Sequence, residues 1–157
     1  MSEVKKSILG SIMNWISERG ARSLSYDDLR SRMTASGARI GARFRAVAST
    51  PHNLEAITHI IGIERWAAHR VRVALGEPLV IDEYTGYRPP AGANQEQLCA
   101  AFNSTRVATL ALLGELQKAN TPITKTITHN ELGEMSVGGW LVYMDNHAVR
   151  EGTYRVR

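Results

Sequence analysis

The chain has 157 residues, 43% of them hydrophobic, and its 19 Lys and Arg against 15 Asp and Glu give a formal net charge of +4. This length suffices for one domain with a continuous core, and so mild a charge excess is not typical of a nucleic-acid-binding module. The single cysteine, Cys99, excludes an intramolecular disulfide framework and a cysteine-rich zinc site. Without a secretory signal or an apolar run of bilayer length, we expect one cytoplasmic domain over residues 1–157, with no nucleic-acid or membrane partner.

The N-terminal segment, KKSILGSIMNWISERG, predicts a short amphipathic helix within residues 1–20 that ends at Gly20. The apolar face of this helix would dock on the core, contact a second copy of the chain or lie on a membrane surface. Its members are Ile8, Leu9, Ile12, Trp15 and Ile16. A long helix follows, because Ser25 and Asp28 have capping-box spacing. Its apolar face contains Leu29, Met33, Ile40, Phe44 and Val47.

The next helix is predicted to begin at Thr50 and Pro51, since proline is favoured at the first helical position, and to end at Gly76. The segment 77–93 holds three of the five prolines, at positions 78, 89 and 90. It therefore predicts a long loop, and long loops in compact domains are often functional.

From Asn94 onward, apolar residues alternate at spacings of four and three, which indicates a helix in the core of a bundle. ITKTITHNELG favours an extended arm or a strand fragment, although it has no obvious partner strand. The last helix begins after Ser136. Four long helices, one long connection and a short N-terminal helix predict an all-α four-helix bundle with a long crossover loop and an extra N-terminal helix.

The last helix places an imidazole and a carboxylate on its apolar stripe, where His147 and Glu151 lie one turn apart. The rest of that stripe is formed by Val137, Trp140, Leu141, Met144 and Ala148. An ionised carboxylate needs a partner, a proton or water there, and a metal ion shared with His147 and with His59 of a facing helix would satisfy it. The alternative is that both histidines are hydrogen-bonded in the core or at its boundary, and that Glu151 lies in water on a frayed turn.

The other titratable residues have no comparable pairing. Glu64, one turn from His59, is predicted either to support a ligand or to pair with an arginine. His52, His69 and His129 are predicted to be surface residues. Five arginines surround the second helix without forming a stripe, which indicates a solvated surface and not a DNA-reading face. These are Arg30, Arg32, Arg39, Arg43 and Arg45.

The segment EAITHIIGIERW, followed by GEMSVGGWLVYMDNHAVRE, resembles the DinB-like superfamily of metal-binding four-helix bundles, which includes the YfiT-like and thiol S-transferase proteins. The resemblance extends from about Ser25 onward. It implies that the first two metal ligands are His59 and His147. The third falls on position 151, where this chain has Glu in place of the usual His. This departure leaves either a site of two histidines and one carboxylate, or a site that has lost its metal.

The resemblance implies a homodimeric, divalent-metal-dependent enzyme that acts on a small molecule, by transfer of a low-molecular-weight thiol or by hydrolysis. Two imidazoles and a carboxylate suit zinc or nickel, and also iron or manganese. The alternative is a non-catalytic, stress-associated binding or structural bundle with a degenerate metal site. DNA binding is suggested only by the family's damage-inducible name, and a strong salt dependence of duplex binding would be needed to support it.

Overall fold

The computed structural model describes residues 3–157, with side chains from Gly10 onward. The described chain is 70% helical, which confirms the all-α class predicted from the sequence. Its five α-helices are α1 (Glu3–Ala21), α2 (Tyr26–Ala46), α3 (Pro51–Val71), α4 (Gln95–Lys118) and α5 (Val137–Tyr154). Its two strands are β1 (Thr126–His129) and β2 (Gly133–Ser136). None of the helices in residues 3–157 is both long enough and apolar enough to cross a membrane.

Helices α2, α3 and α4 begin at the positions that the sequence predicts. At the start of α2, the Ser25 hydroxyl accepts a hydrogen bond from the Asp28 backbone N–H, and the Asp28 carboxylate accepts one from the Ser25 N–H. Asn94 and Gln97 form the same reciprocal pair at the start of α4, whereas at the start of α3 the Thr50 side chain only accepts a hydrogen bond from the Asn53 N–H. After α3 the chain continues as a 3₁₀ turn at Arg72–Leu75, and the helical segment ends at Gly76. The φ of Gly76 is 98°, a left-handed conformation that glycine adopts without strain.

The helices pack in defined pairs around a hydrophobic interior. α2 contacts α4 and α5, α3 also contacts α4 and α5, and α1 lies on α5. The core contains two buried clusters, one with Trp66, Leu113 and Trp140 and the other with Phe44, Ile60 and Phe102. The connection between α3 and α4 is a long loop, as predicted, interrupted by a 3₁₀ turn at Tyr84–Tyr87.

The predicted extended segment is confirmed and has a partner that the sequence analysis did not find. β1 pairs antiparallel with β2, so that Thr126 lies opposite Ser136 and His129 lies opposite Gly133. β2 is the GEMS segment that immediately precedes α5, and Ser136 both ends the strand and caps the helix by accepting a hydrogen bond from the Gly139 N–H. The hairpin therefore fixes the direction in which α5 leaves the sheet.

The N-terminal helix packs on α5 through a face different from the one predicted. Ser17 and Ala21 are buried, whereas the side chains of Ile12, Trp15 and Ile16 are 48%, 55% and 46% exposed. Of the three contacts predicted for this face, docking on the core is therefore wrong for these three residues. The side chains of Ile8 and Leu9, assigned to the same apolar face, lie outside the described residues.

Candidate functional site

Two of the three predicted metal ligands face each other across the contact between α3 and α5. The Nε2 atom of His59 lies 3.2 Å from the Nε2 atom of His147. His147 is buried on the apolar stripe of α5, and His59 is half-buried on α3. The four-residue spacings along both helices turn these imidazoles toward the same interface, as the sequence pattern predicts.

The separation of the two nitrogens fits a shared metal ion. Histidine nitrogens bind zinc at about 2.0–2.1 Å, so two cis ligands at a tetrahedral or octahedral angle lie about 2.8–3.4 Å apart. The observed 3.2 Å between Nε2 atoms is within that range. The same distance also allows a hydrogen bond in which one imidazole donates to the other. Chemically, the pair can therefore supply two nitrogen donors to one ion.

Burial lowers the pKa of both imidazoles, which favours the neutral form that metal ligation requires. For His147 the pKa falls to about 3, mainly because the ring is buried, and the neighbouring His59 adds to this effect. Burial also lowers the pKa of His59, and the charge of Arg155 adds to this effect. The Nδ1 atom of His147 is buried and has no hydrogen-bond partner among the described residues, so this nitrogen lacks the outer-shell acceptor common to histidine ligands.

Glu151 lies beside the pair but contacts two arginines. Its Oε1 atom accepts a hydrogen bond from Nε of Arg150 at 3.2 Å, and its Oε2 atom accepts one from Nη1 of Arg155 at 3.3 Å. Burial opposes ionisation, but the hydrogen bond from Arg155 and the neighbouring positive charges lower the pKa of Glu151. The carboxylate is therefore ionised, and its side chain is 17% exposed.

The structure thus brings together His59 and His147, while Glu151 is directed toward arginines. Among the described residues, no group of three or more His, Cys, Asp or Glu side chains is arranged to hold a metal ion. Two nitrogen donors fit an ion, and a third ligand requires the Glu151 carboxylate to turn away from Arg150 and Arg155.

The long loop between α3 and α4 contributes side chains to the same region. The ring of Tyr84 meets that of His59 edge-on, with 5.1 Å between ring centroids. The guanidinium of Arg88 lies 5.4 Å from the Tyr84 ring centroid and forms an ion pair with Glu55 of α3, with an N–O distance of 3.1 Å. The prolines of the sequence predict this loop, but no local pattern shows which of its side chains returns to α3.

Glu64 is not a free carboxylate at this site. Its Oε2 atom accepts a hydrogen bond from Nη2 of Arg106, and its Oε1 atom accepts one from the Thr109 hydroxyl. Burial raises the pKa of Glu64, and Arg106 opposes that shift. Of the two predicted roles, the pairing with an arginine is confirmed. Arg106 itself was missed, although its position between Phe102 and Thr109 on the inner face of α4 was a signal.

The prediction that His129 lies on the surface is wrong. His129 is 6% exposed, and its ring lies 5.1 Å from that of Trp66 and 4.8 Å from that of Trp140 between centroids. Its Nδ1 atom accepts hydrogen bonds from the backbone N–H groups of residues 131 and 132. Strand alternation was the missed signal, because His129 shares the buried face of β1 with Ile127.

The other two histidines differ in exposure. His52 is exposed, as predicted, and its Nε2 atom lies 2.9 Å from the backbone oxygen of Arg155. His69, also predicted to lie on the surface, is only partly exposed, and its Nδ1 atom lies 2.8 Å from the Tyr87 hydroxyl.

Comparison of the chain with models of protein families, with curated proteins and with solved structures finds no match.

Proposed function

We propose that this protein is a DinB-like four-helix bundle that binds a divalent metal ion at His59, His147 and Glu151 and uses it to act on a small molecule. The pairwise packing of α2, α3, α4 and α5 supports the bundle, since each of these helices contacts two of the others. The observation that carries the metal site is the 3.2 Å distance between the Nε2 atoms of His59 and His147.

The residues of the chain have separate roles in this proposal. His59 and His147 hold the ion between α3 and α5, and burial lowers the pKa of each imidazole, which favours the neutral form that offers a lone pair to the ion. Glu151 supplies the third ligand when its carboxylate leaves Arg150 and Arg155. A bound ion supplies Lewis-acid chemistry, which activates water or a thiol as a nucleophile. Two nitrogens and one oxygen suit zinc or nickel best, with iron or manganese as alternatives.

We also propose that the chain works as a cytoplasmic homodimer whose second copy covers the exposed side chains of α1. Ile12, Trp15 and Ile16 place three large apolar side chains on one exposed face of that helix. The proposed substrate is a small molecule, and a low-molecular-weight thiol is the co-substrate that the family resemblance favours.

A second candidate is a non-catalytic bundle that has lost its metal. The contacts of Glu151 favour this candidate, because the carboxylate expected as the third ligand is already ion-paired with Arg150 and Arg155. In that protein the two imidazoles would simply hydrogen-bond to each other and join α3 to α5.

Metal analysis of protein purified without a metal-affinity tag distinguishes the two candidates. We expect one zinc or nickel ion per chain, and loss of that ion in His147→Ala. His52→Ala is the matched control, because it removes an exposed histidine from the start of α3. Equal zinc affinity of the parent and His147→Ala in a competition titration would exclude the proposed site.

A further inference from the structure

Glu151 shows how two arginines of this chain bind a carboxylate. Arg150 directs Nε and Nη2 to Oε1, each at 3.2 Å, and Arg155 directs Nη1 to Oε2 at 3.3 Å. Both guanidinium groups come from the C-terminal end of α5, one beside Glu151 and the other four residues beyond it. The Glu151 side chain therefore occupies a site with donors to both of its oxygens, which is the arrangement in which arginine recognises carboxylates.

This site is accessible from solvent, whereas the carboxylate that fills it lies deeper. The side chains of Arg150 and Arg155 are 49% and 45% exposed, compared with 17% for Glu151. A carboxylate that arrives from solvent meets the two guanidinium groups without passing through the core. Arg150 and Glu151 follow His147 by three and four residues on α5, so this carboxylate site lies one helical turn from the imidazole pair.

The proposed metal site leaves these arginines without their anion. If the Glu151 carboxylate turns to an ion held by His59 and His147, two positive charges lose their partner beside a new divalent cation. We propose that Arg150 and Arg155 bind a carboxylate group of the small-molecule substrate, which replaces Glu151 as Glu151 turns to the metal. This inference rests on the proposed function and names its substrate class: a carboxylate-bearing small molecule.

The carboxylate site is tested first without metal, with succinate as the probe. Glu151→Gln removes the internal anion, so we expect it to bind succinate several-fold more tightly than the parent in calorimetric titration. The double variant Glu151→Gln/Arg155→Gln should lose that gain. Glu77→Gln is the matched control, because it removes an acidic partner from Arg72, an arginine that keeps Glu115 as its other partner. If Glu151→Gln binds succinate no better than the parent does, the inference is overturned.

The exchange with metal is tested by nickel titration in the presence and absence of succinate. Because coupling between two ligands is reciprocal and commonly amounts to about 5–150-fold, we expect succinate to raise the nickel affinity of the parent by about fivefold. The lower end of that range applies because both arginines are exposed. Succinate should give no gain in Arg155→Gln, whose nickel affinity without succinate should exceed that of the parent. Chelation of nickel by succinate in solution affects both proteins equally and cancels in their ratio.

The two experiments separate failure of the inference from failure of the proposed function. A parent protein that binds no nickel overturns the metal site and the exchange, while succinate binding by Glu151→Gln would still support the carboxylate site. A parent protein that binds nickel with the same succinate dependence as Arg155→Gln retains the metal site and overturns the inference.

Discussion

Arg106 of α4 contacts the carboxylate of Glu64 of α3 with two of its nitrogens, deep in the core. Nη2 donates a hydrogen bond to Oε2 over 2.9 Å, and Nε lies within ion-pair distance of Oε1, also at 2.9 Å. The third guanidinium nitrogen, Nη1, contacts Asp145 of α5 at 3.0 Å. Asp145 in turn accepts a hydrogen bond from Arg32 of α2 at 2.8 Å. One chain of charges thus joins four helices.

We predict that Arg106→Met strongly destabilises the fold. The substitution leaves Glu64 without its cation and Asp145 with Arg32 as its remaining ion-pair partner. Breaking a buried ion pair costs about 3–5 kcal/mol. Replacing both Arg106 and Glu64 by methionine should cost less stability than the sum of the two single substitutions. The double variant leaves neither the guanidinium nor the Glu64 carboxylate buried without its partner. Urea unfolding measures all three variants.

The control for this prediction is Arg72→Met. Arg72 pairs with Glu77 and Glu115 at the surface, where its side chain is 35% exposed, so its loss should change stability by about 1 kcal/mol or less. A cost for Arg106→Met as small as that for Arg72→Met would show that the buried charges do not stabilise the contacts among the four helices.

The helices were predictable because their signals are local. Ser25 with Asp28, Thr50 with Pro51, and Asn94 each mark a helix start within a few residues. In the structure the side chains of Ser25, Thr50 and Asn94 cap these three helices. The partner of β1 was missed because GEMS is only four residues long and runs directly into the cap of α5. Short pairings of this kind depend on tertiary packing, which a local pattern does not contain.

The candidate site was predictable only in part, for a physical reason. Helical spacing shows which side chains share a face, so it brought His59 and His147 to one interface. It does not show which of several neighbouring charged side chains a partly buried carboxylate contacts. Glu151 has Arg150 on its own helix and Arg155 at the C-cap of that helix within reach, and it contacts both of them.

We predict that the exposed face of α1 mediates self-association. Trp15→Glu combined with Ile16→Glu should convert a dimer into a monomer, since a charge in an apolar contact lacks a partner. The helical circular dichroism signal should not change, because both side chains are about half exposed in the single chain. Analytical ultracentrifugation gives the mass.

Val107→Glu is the control for this experiment, because Val107 is 66% exposed on α4. That variant should retain the mass of the parent. A monomeric parent, or a dimer that persists in the doubly substituted protein, would contradict a role for this face of α1.

We predict that His129 makes stability depend on pH under mildly acidic conditions. Burial, reinforced by the charge of Arg70, lowers the pKa of His129 from 6.5 to about 4. Between these two pH values the unfolded chain binds more protons than the folded chain does, so the free energy of unfolding falls as the pH falls. The contribution of this histidine is fully present above pH 6.5 and is lost as the pH approaches 4.

His129→Asn tests this pH dependence, since its amide oxygen retains an acceptor near the backbone N–H groups of residues 131 and 132. Chemical unfolding at several pH values should show a shallower slope for His129→Asn than for the parent. His52→Asn, at an exposed site, should retain the slope of the parent. Equal slopes in the parent and in His129→Asn would show that this imidazole is protonated without loss of the fold.

The last prediction concerns Glu151 as a metal ligand. Glu151→Gln preserves the shape of the side chain and removes its charge. Zinc affinity should therefore fall, because zinc is bound by carboxylates and imidazoles and the amide lacks the negative charge of the carboxylate. Glu151→His should restore the three-histidine pattern of the family resemblance and retain zinc.

Glu55→Gln is the control: Glu55 pairs with Arg88 near the same site, but its side chain is 56% exposed. Competition titration with zinc should therefore rank Glu151→His and the parent above Glu151→Gln, with Glu55→Gln equal to the parent. If Glu151→Gln binds zinc as tightly as the parent, Glu151 is not a ligand. In that case the site holds its ion through His59 and His147 with solvent, because Arg106 and Thr109 already occupy the Glu64 carboxylate.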